Sequence, residues 1–324
     1  MSVNPNSTSS PTAAGKEVTL YITGAAGMLG GEFLRYFATK RNFAVTAVTR
    51  SELPQIKQGQ YQHSRSDDIF DASWYDGTHP NSVILHCAGL SDPRAEFDGI
   101  STLYAQEAAP HIKMLEQLCA KGWKGRLLFV SSGGSVYGEP RELPIRENHP
   151  LRPKGAYGFY KAILEQGFSY LAAKFGHEVV SLRVSNPYGP GLIKRGQGVI
   201  PILAEACRTG SEFTIIGDGT DLRDYIHKSD LCDAVERAMT RNMTRSEMTL
   251  NIGSGRGVSL NELIELVSAQ FDTAPILLRK PSVVDVHSNV LCIDGARKLL
   301  DWSPTTPFET GLKNLIESLN DPHT

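Results

Sequence analysis

Three glycines at three-residue spacing follow the first apolar run of this chain, and they constrain its fold more than any other feature. The run ends at residue 22 and is followed by Gly24, Gly27 and Gly30. In a strand-to-helix turn, the first glycine permits the tight bend, the second lets the backbone approach a pyrophosphate, and the third allows the helix to pack on its strand. The first N–H groups of the helix, at Met28 and Leu29, would then point at the phosphates. The sequence therefore predicts a dinucleotide site at the start of the folded chain.

The rest of the chain alternates short apolar runs with helical patterns. Strands are predicted at 17–23, 44–49, 82–87, 126–131, 178–184 and 248–252, and helices at 28–40, 100–121, 155–175 and 228–240. Nearly all-apolar, β-branched strands that alternate with helices indicate a parallel sheet covered on both faces. The predicted fold class is therefore α/β, a doubly wound parallel Rossmann sheet with a smaller, interleaved α+β C-terminal substrate lobe. Ligand is expected in the cleft beyond the carboxyl ends of the strands.

From about residue 190 the predicted elements become short and are interrupted by glycine and proline. We predict a disordered tail at 1–16, a Rossmann domain at 17–189 to which 223–253 returns, and a substrate-binding lobe at 190–222 and 254–324. The tail is rich in small polar residues, and it has neither the apolar centre of a secretory signal nor the arginines of a transit peptide.

Charge and cysteine content restrict the possible partners. The 33 basic and 35 acidic residues nearly cancel, so the chain has no electrostatic footprint for nucleic acid. No apolar stretch reaches the ~18 residues that span a bilayer. The five cysteines are scattered singly, which is typical of a reducing compartment and of neither a disulfide framework nor a zinc site. We expect a cytoplasmic protein that binds no metal, nucleic acid or membrane.

A tyrosine and a lysine four residues apart carry the best candidate chemistry. Tyr157 and Lys161 share one face of a predicted helix. A phenol titrates near pH ~10 and must lose about 3 pKa units to act as a base near neutrality. A neighbouring ammonium and a positively charged nicotinamide would both favour the phenolate, and Lys161 could also hold a ribose hydroxyl. The alternative is a structural tyrosine packed on the core.

Five motifs in order resemble the extended short-chain dehydrogenase/reductase superfamily. They are the glycine turn at 23–30, Ser-Ser-Gly-Gly-Ser-Val-Tyr-Gly at 131–138, the Tyr157–Lys161 pair, Arg-Val-Ser-Asn-Pro-Tyr-Gly-Pro at 183–190, and Gly-Asp-Gly at 217–219 with Leu-Arg-Asp-Tyr-Ile at 222–226. More narrowly, the chain resembles the nucleotide-sugar, NAD-dependent epimerase/dehydratase branch, of which UDP-galactose (UDP-glucose) 4-epimerase is the familiar member. The likeness runs from about residue 17 to residue 318.

The resemblance implies catalytic roles for residues in these motifs. Tyr157 would be the acid/base on the sugar hydroxyl at the reacting carbon, and Lys161 would be its electrostatic partner. A serine from the 131–135 loop would hydrogen-bond the same oxygen. Gly133 stands where the family usually has the catalytic Ser or Thr, so Ser132 is the first candidate and Ser135, which would also contact substrate, is the reserve.

The resemblance also implies a nucleotide-diphosphate sugar as partner, with a UDP-sugar favoured. Ala88 and Gly89 would line the cofactor, and Gln197 and Val199 would lie in the stretch that cradles the base. Asn186 would contact the phosphate of the sugar nucleotide, or it could simply be a turn former before a proline. Arg223 would clamp the diphosphate, or it could form a surface ion pair with its acidic neighbours.

One strand end bears on the choice between NAD and NADP. The strand at 44–49 runs into Arg50 and carries no acidic residue that could accept from a ribose 2′-hydroxyl. Arg50 would instead favour a 2′-phosphate, and hence NADP, unless its side chain points to solvent.

Three functions follow from these expectations. The first is a nucleotide-sugar epimerase of the UDP-hexose 4-epimerase type, which oxidises its substrate transiently to a 4-keto sugar. The second is an NADP-dependent reductase of a nucleotide-linked 4-keto sugar, and the third is a regulatory dinucleotide-binding protein without catalysis. A dehydratase is disfavoured because residues 133–135 include no carboxylate. The branch often dimerises through the tyrosine helix, so we predict a homodimer that uses Ile163, Leu164, Phe168 and Leu171.

Overall fold

The computed structural model describes residues 17–53, 59–89, 97–192, 198–242, 245–281 and 286–320. The strands of this described part are β1 (Val18–Thr23), β2 (Phe43–Thr49), β3 (Gln62–Arg65), β4 (Val83–His86), β5 (Arg126–Ser132), β6 (Glu178–Val184), β7 (Asn186–Tyr188), β8 (Glu212–Ile216), β9 (Leu222–His227), β10 (Glu247–Ile252), β11 (Gly257–Ser259) and β12 (Ile276–Lys280). Its α-helices are α1 (Met28–Phe37), α2 (Ile100–Leu103), α3 (Ala109–Ala120), α4 (Ala156–Phe175), α5 (Val199–Thr209), α6 (Lys228–Thr240), α7 (Leu260–Ser268), α8 (Asp294–Leu300) and α9 (Phe308–Asn320).

A seven-stranded parallel sheet forms the centre of the molecule. Its order is β10-β6-β5-β4-β1-β2-β3, and every pairing within it is parallel. The chain moves outward from β1 through β2 to β3 and then returns to the other side of β1 as β4. This reversal creates a crevice at the carboxyl ends of β1 and β4, which is where open α/β sheets bind ligands. The predicted doubly wound α/β fold is confirmed.

Helices cover both faces of the sheet, as its apolar strands require. On one face α1 and α6 contribute buried side chains such as Phe33 and Val235. On the other face α3 and α4 contribute Leu115 and Phe168. Because both faces are covered, the polar groups of the backbone emerge mainly at the two ends of the strands.

The predicted elements of the central sheet are all present, with two differences. The helix predicted at 100–121 is interrupted by a π-helical turn, Tyr104–Ala108, between α2 and α3. The edge strand β3 was not predicted, because Gln62–Arg65 is polar and mostly exposed and so lacks the apolar alternation of a half-buried strand.

The last third of the chain builds smaller units beside the sheet. One unit is a three-stranded sheet in the order β11-β9-β7, and another is the parallel pair of β12 and β8. Helices α5, α7 and α9 share a separate apolar core with these strands. The segment 223–253 supplies β10 at the edge of the central sheet, while the predicted domain boundaries themselves stay predictions. The tail predicted at 1–16 lies outside the described residues.

One expectation about α4 is wrong. Leu164, Phe168 and Leu171 were predicted to face a second copy of the chain, but each is at most 2% exposed and packs in the core beneath the sheet. The core on this face of the sheet therefore buries more of the apolar surface of α4 than the sequence suggested. Among the helices that the structure describes, each is too short or too polar to cross a membrane.

Candidate active site

A cavity of about 590 Å³ lies at the carboxyl edge of the central sheet, across the switch point between β1 and β4. Its volume suits a small-molecule or cofactor site. The predicted site residues in its wall are Gly24, Gly27, Met28, Leu29, Gly30, Arg50, Ala88, Gly89, Ser132, Ser135, Tyr157, Lys161 and Asn186. Segments more than 150 residues apart in sequence thus meet around one space.

The glycine turn has the geometry that a bound pyrophosphate requires. Gly24 has φ of 73°, in the left-handed region, and a Cβ there would lie 2.6 Å from the backbone nitrogen of Ala88. A Cβ on Gly30 would collide with the carbonyl oxygen of Gly24. No side chain caps α1 at Gly27, so the N–H groups of its first turn remain available beside the cavity. These residues fit a nicotinamide dinucleotide.

Tyr157 and Lys161 lie in successive turns at the start of α4. The Lys161 ammonium is 5.6 Å from the centre of the Tyr157 ring and donates a hydrogen bond of 2.9 Å to the carbonyl oxygen of Val130. Lys161 is 5% exposed, so its charge acts in a poorly solvated site. The prediction that the pair shares one helix face is confirmed.

Burial shifts the pKa of both groups, in opposite directions. Burial raises the pKa of the Tyr157 phenol to about 12, and a hydrogen bond with Ser132 opposes that rise. Burial lowers the pKa of Lys161 to about 8, and the negative charges that Cys87 and Glu165 can carry partly oppose this fall. Desolvation therefore dominates at the phenol, whose pKa rises where a lowered pKa was expected, and the Lys161 ammonium is directed at a backbone carbonyl.

The serine loop places Ser132 in the same cavity wall as Tyr157. The Ser132 hydroxyl opposes the rise in the pKa of the phenol, and its Oγ donates to Oγ of Ser135 at 3.2 Å. A Cβ on Gly133 would lie 2.6 Å from Cδ1 of Leu291, so a side chain there would require Leu291 to shift. The carbonyl oxygen of Gly133 accepts from Nδ2 of Asn289 at 3.0 Å. Of the two candidate serines, Ser132 is thus the one that affects the pKa of the phenol.

Arg50 lies in the cavity wall at the end of β2 with its side chain exposed. The backbone around it is held by Oγ1 of Thr49, which donates to the carbonyl oxygen of Ser51 at 2.6 Å. The charge of Arg50 also lowers the pKa of Glu107 in the π-helical turn, although burial raises that pKa more. The guanidinium therefore lies near both the cavity and a carboxylate.

The residues proposed to bind substrate are only partly brought together. Asn186 lies in the wall, and its Nδ2 donates to the carbonyl oxygen of Asp224 at 2.8 Å. Arg223 and Val199 are not in the wall of this cavity, and Gln197 lies outside the described residues.

Arg223 instead fastens a neighbouring segment. Its guanidinium donates to the carbonyl oxygens of Val286 at 3.0 Å and His287 at 2.7 Å. Within the described residues it forms no ion pair with Asp221 or Asp224, which was the alternative from sequence. Its contact with a diphosphate stays a prediction.

A buried ion pair next to Tyr157 and Lys161 was not predicted from the sequence. Glu165 lies one turn after Lys161 on α4 and contacts Arg183 of β6 at 2.7 Å. The same carboxylate accepts a 2.5 Å hydrogen bond from Oγ of Ser131, the neighbour of Ser132. The pair thus joins α4 to β5 and β6 directly below the cavity. Its signal in the sequence was the four-residue spacing of Glu165 from Lys161.

The wall also contains residues to which the sequence motifs assigned no role. They are Ala26, Ile69, Val130, Val184, Ser185 and Pro187. Several follow predicted strands directly, so the rule that ligands bind beyond the carboxyl ends of strands could have found them. The arrangement as a whole can move a proton at a hydroxyl beside a bound dinucleotide.

The chain matches the model of a known protein family. The model of the NAD dependent epimerase/dehydratase family matches residues 20–253. The match spans the glycine turn, the serine loop and the Tyr157–Lys161 pair, and it ends just after β10.

Relatives of known name match over most of the chain. A dTDP-4-dehydro-6-deoxyglucose reductase of Escherichia coli is 28% identical and covers 92% of this chain and 96% of its own length. A UDP-glucose 4-epimerase of Corynebacterium glutamicum is 31% identical, with 72% of this chain and 74% of the relative covered. The solved structure of MoeE5 in complex with UDP-glucose and NAD has a TM-score of 0.80 at 26% identity, and covers 94% of this chain and 100% of its own.

Proposed function

The chain belongs to the NAD-dependent epimerase/dehydratase family, and we propose that it is a nucleotide-sugar epimerase that inverts C4 of a UDP-hexose. It is an enzyme of the extended short-chain dehydrogenase/reductase type. The observation that carries the proposal is that Tyr157, Lys161 and Ser132 line the same cavity that the glycine turn enters. The likeness to a UDP-glucose 4-epimerase supports the choice of reaction.

The proposed chemistry assigns one task to each residue. Tyr157, as phenolate, takes the proton of the sugar 4-hydroxyl while C4 is oxidised to a ketone, and it returns the proton to the same oxygen when C4 is reduced from the other face. Ser132 donates a hydrogen bond to that oxygen, and Lys161 favours the phenolate by its positive charge. A bound nicotinamide dinucleotide would accept the hydride from C4 and give it back, and its oxidised ring would add a second positive charge. The sugar undergoes no net oxidation.

Interconversion of UDP-galactose and UDP-glucose without added reductant tests this proposal. Chromatography of the products should show both sugars approaching equilibrium. Tyr157→Phe should lower kcat by at least about 100-fold, because it removes the proton acceptor, and should leave dinucleotide affinity nearly unchanged.

Tyr170→Phe is the matched control, since Tyr170 lies on the same helix but is 65% exposed. Its kcat should equal that of the wild type. Retained turnover in Tyr157→Phe would remove the phenol from its proposed role.

A second candidate function is reduction of a nucleotide-linked 4-keto sugar. Arg50 in the cavity wall favours it, as does the likeness to a dTDP-4-dehydro-6-deoxyglucose reductase. The same three residues would act once, with Tyr157 donating its proton to the new hydroxyl. Stoichiometric loss of NADPH absorbance with dTDP-4-dehydro-6-deoxyglucose, together with no interconversion of UDP-hexoses, would replace the epimerase by this reductase.

For the choice of dinucleotide we propose NADP over NAD, because Arg50 is exposed at the end of β2 where it can meet a 2′-phosphate. Arg50→Ala should weaken NADP binding about tenfold or more and leave NAD binding unchanged, as measured by calorimetric titration. Arg65→Ala is the control, since that exposed arginine of β3 pairs with Glu52 at 2.9 Å. Equal effects of Arg50→Ala on both dinucleotides would contradict the argument.

The remaining assignments are also proposals. Ser135 would contact the substrate, Asn186 and Arg223 would contact its diphosphate, and Gln197 and Val199 would hold the base. A homodimer and a cytoplasmic location remain predictions, which light scattering and cell fractionation can test.

A further inference from the structure

A buried hydroxyl without a hydrogen-bond partner lies in the wall of the cavity. Ser185, directly after β6, is 6% exposed, and its Oγ has no partner among the described residues. Six buried side-chain polar atoms in the described part of the chain lack a partner, and Ser185 Oγ is the one whose residue lines this cavity. Folding leaves a buried hydroxyl unpaired only at a cost in stability, so such a group in a ligand cavity indicates a contact with the ligand.

The position of Ser185 places it at the end of the cavity that the serine loop lines. The preceding residue, Val184 of β6, is paired with Ser132 of β5. The N–H of Ser185 donates to the carbonyl oxygen of Ile252 at 2.9 Å. The residue after it is Asn186, also in the wall. Ser185 thus lies beside the serine loop, whereas the glycine turn and Arg50 line the cavity at the ends of β1 and β2.

Strand alternation also directs Ser185 toward the catalytic helix. Arg183, two residues earlier, reaches Glu165 of α4. Side chains two residues apart on an extended chain point to the same face, so Ser185 faces the side of the sheet that α4 covers. Tyr157 lies in the first turn of that helix, so Ser185 and Tyr157 line the same end of the cavity.

We propose that Ser185 is a specificity-determining residue that hydrogen-bonds a hydroxyl of the sugar ring other than the one that Tyr157 deprotonates. This inference rests on the proposed function, because it takes the sugar of a UDP-hexose to lie beside Tyr157. A serine hydroxyl both donates and accepts, so it can pair with a ring hydroxyl in either sense. A site built around such a pair discriminates against sugars that lack the hydroxyl, since the buried Oγ then stays unpaired.

Ser185→Ala tests the proposal. The KM for UDP-galactose should rise about tenfold while kcat changes less than about threefold, because the contact is made in the ground state and kept in the transition state. The affinity for NAD and NADP should stay unchanged. The thermal midpoint should not fall, because an unpartnered hydroxyl is removed, and this separates the proposed role from a structural one.

Ser82→Ala is the matched control. Ser82 is 3% exposed, its Oγ also lacks a partner among the described residues, and it lies before β4, outside the cavity wall. The same atom is deleted there, so KM should equal that of the wild type. A similar rise in KM in both variants would overturn the proposal.

UDP-galactose analogues that lack the 2-, 3- or 6-hydroxyl identify the contact. The wild type should lose about tenfold in kcat/KM on one of them, and Ser185→Ala should show no such loss on that analogue. A KM within twofold of the wild type in Ser185→Ala, or a change in dinucleotide affinity alone, would overturn the assignment to the sugar.

Calorimetric titration of UDP-galactose distinguishes this failure from failure of the proposed function. If the wild type binds UDP-galactose but does not interconvert it, the proposed function is contradicted. Weaker binding of UDP-galactose to Ser185→Ala than to the wild type would then still support the contact. A wild type that neither binds nor converts UDP-galactose overturns both.

Discussion

Tyr157 and Lys161 carry opposite pKa shifts from the same cause. Burial disfavours the charged form of each group, so it raises the pKa of the phenol to about 12 and lowers that of the ammonium to about 8. The proposed base needs the opposite state of both, a phenolate beside an ammonium. The pH dependence of turnover therefore depends on the protonation of both groups.

The pH profile of turnover should therefore bend near pH 8 without falling. Below about pH 8 the phenolate fraction rises tenfold for each pH unit while Lys161 stays charged, so kcat rises with pH. Above that pH, each gain in phenolate is matched by a loss of ammonium until the phenol itself titrates, and kcat levels off. Stopped assays with UDP-galactose from pH 6 to pH 10 would measure the profile.

Lys161→Met separates the two groups in this prediction. Its kcat should be roughly 100-fold lower, and it should keep rising above pH 8 because no ammonium is lost. Lys174→Met, at the exposed end of the same helix, should reproduce the wild-type profile. A bend at the same pH in Lys161→Met would show that another group causes it.

At the scale of elements, the junction of β1 and α1 should tolerate a methyl group at Gly31 but not at Gly30. A Cβ on Gly30 collides with the carbonyl oxygen of Gly24, whereas a Cβ on Gly31 meets its nearest atom at 3.4 Å. Gly30→Ala should lower the free energy of unfolding by roughly 1–3 kcal/mol, since α1 must move from β1. It should also weaken dinucleotide binding at least about tenfold, as measured by urea denaturation and calorimetry.

Gly31→Ala is the control within the same helix. Alanine is a better helix former than glycine, so this variant should be more stable by up to about 1 kcal/mol and should bind the dinucleotide normally. Equal losses in both variants would show that the turn is sensitive to helix substitution in general, and not to the contact at Gly30.

The elements that sequence predicted well are those whose signal is local. The glycine turn, the Tyr157–Lys161 spacing and the apolar strands of the sheet each depend on residues close together in the chain. The features that were missed depend on distant partners. Nε2 of His86 and Nδ1 of His111 lie 2.6 Å apart beneath the sheet, and no pattern in either segment indicates the other. A side chain at Gly133 would likewise press on Leu291, far along the chain.

The same limit explains the error on α4. The helix has more apolar residues than one face of the sheet was expected to cover, so some of them were assigned to the contact with a second copy of the chain. The amount of apolar surface that a helix buries depends on everything packed around it, here α3 and the strands together. Periodicity gives the direction of a face but not its partner.

At the scale of the whole molecule, one buried carboxylate joins three separate segments around the cavity. Asp224 of β9 is fully buried, and its Oδ1 accepts from the N–H and the hydroxyl of Ser254 at 2.7 and 2.8 Å. Its Oδ2 accepts from the N–H groups of Gly255 and Leu291, each at 3.1 Å. Leu291 packs against Gly133, and the carbonyl of Asp224 holds Asn186. The small sheet is thereby coupled to the serine loop of the large one.

Asp224→Asn should therefore disturb both stability and the site, although it changes only one atom. The new amide would direct N–H groups at backbone donors that now face an oxygen, so we expect a loss of roughly 2–3 kcal/mol in the free energy of unfolding. Because Leu291 and Asn186 are released together, KM for UDP-galactose should rise and kcat should fall. Asp221→Asn, a partly exposed carboxylate three residues earlier, should change stability by less than about 0.5 kcal/mol and leave both kinetic constants unchanged. Urea denaturation and initial-rate kinetics on the two variants measure this. A destabilised Asp224→Asn with normal kinetics would show that the serine loop keeps its geometry without support from the last third of the chain.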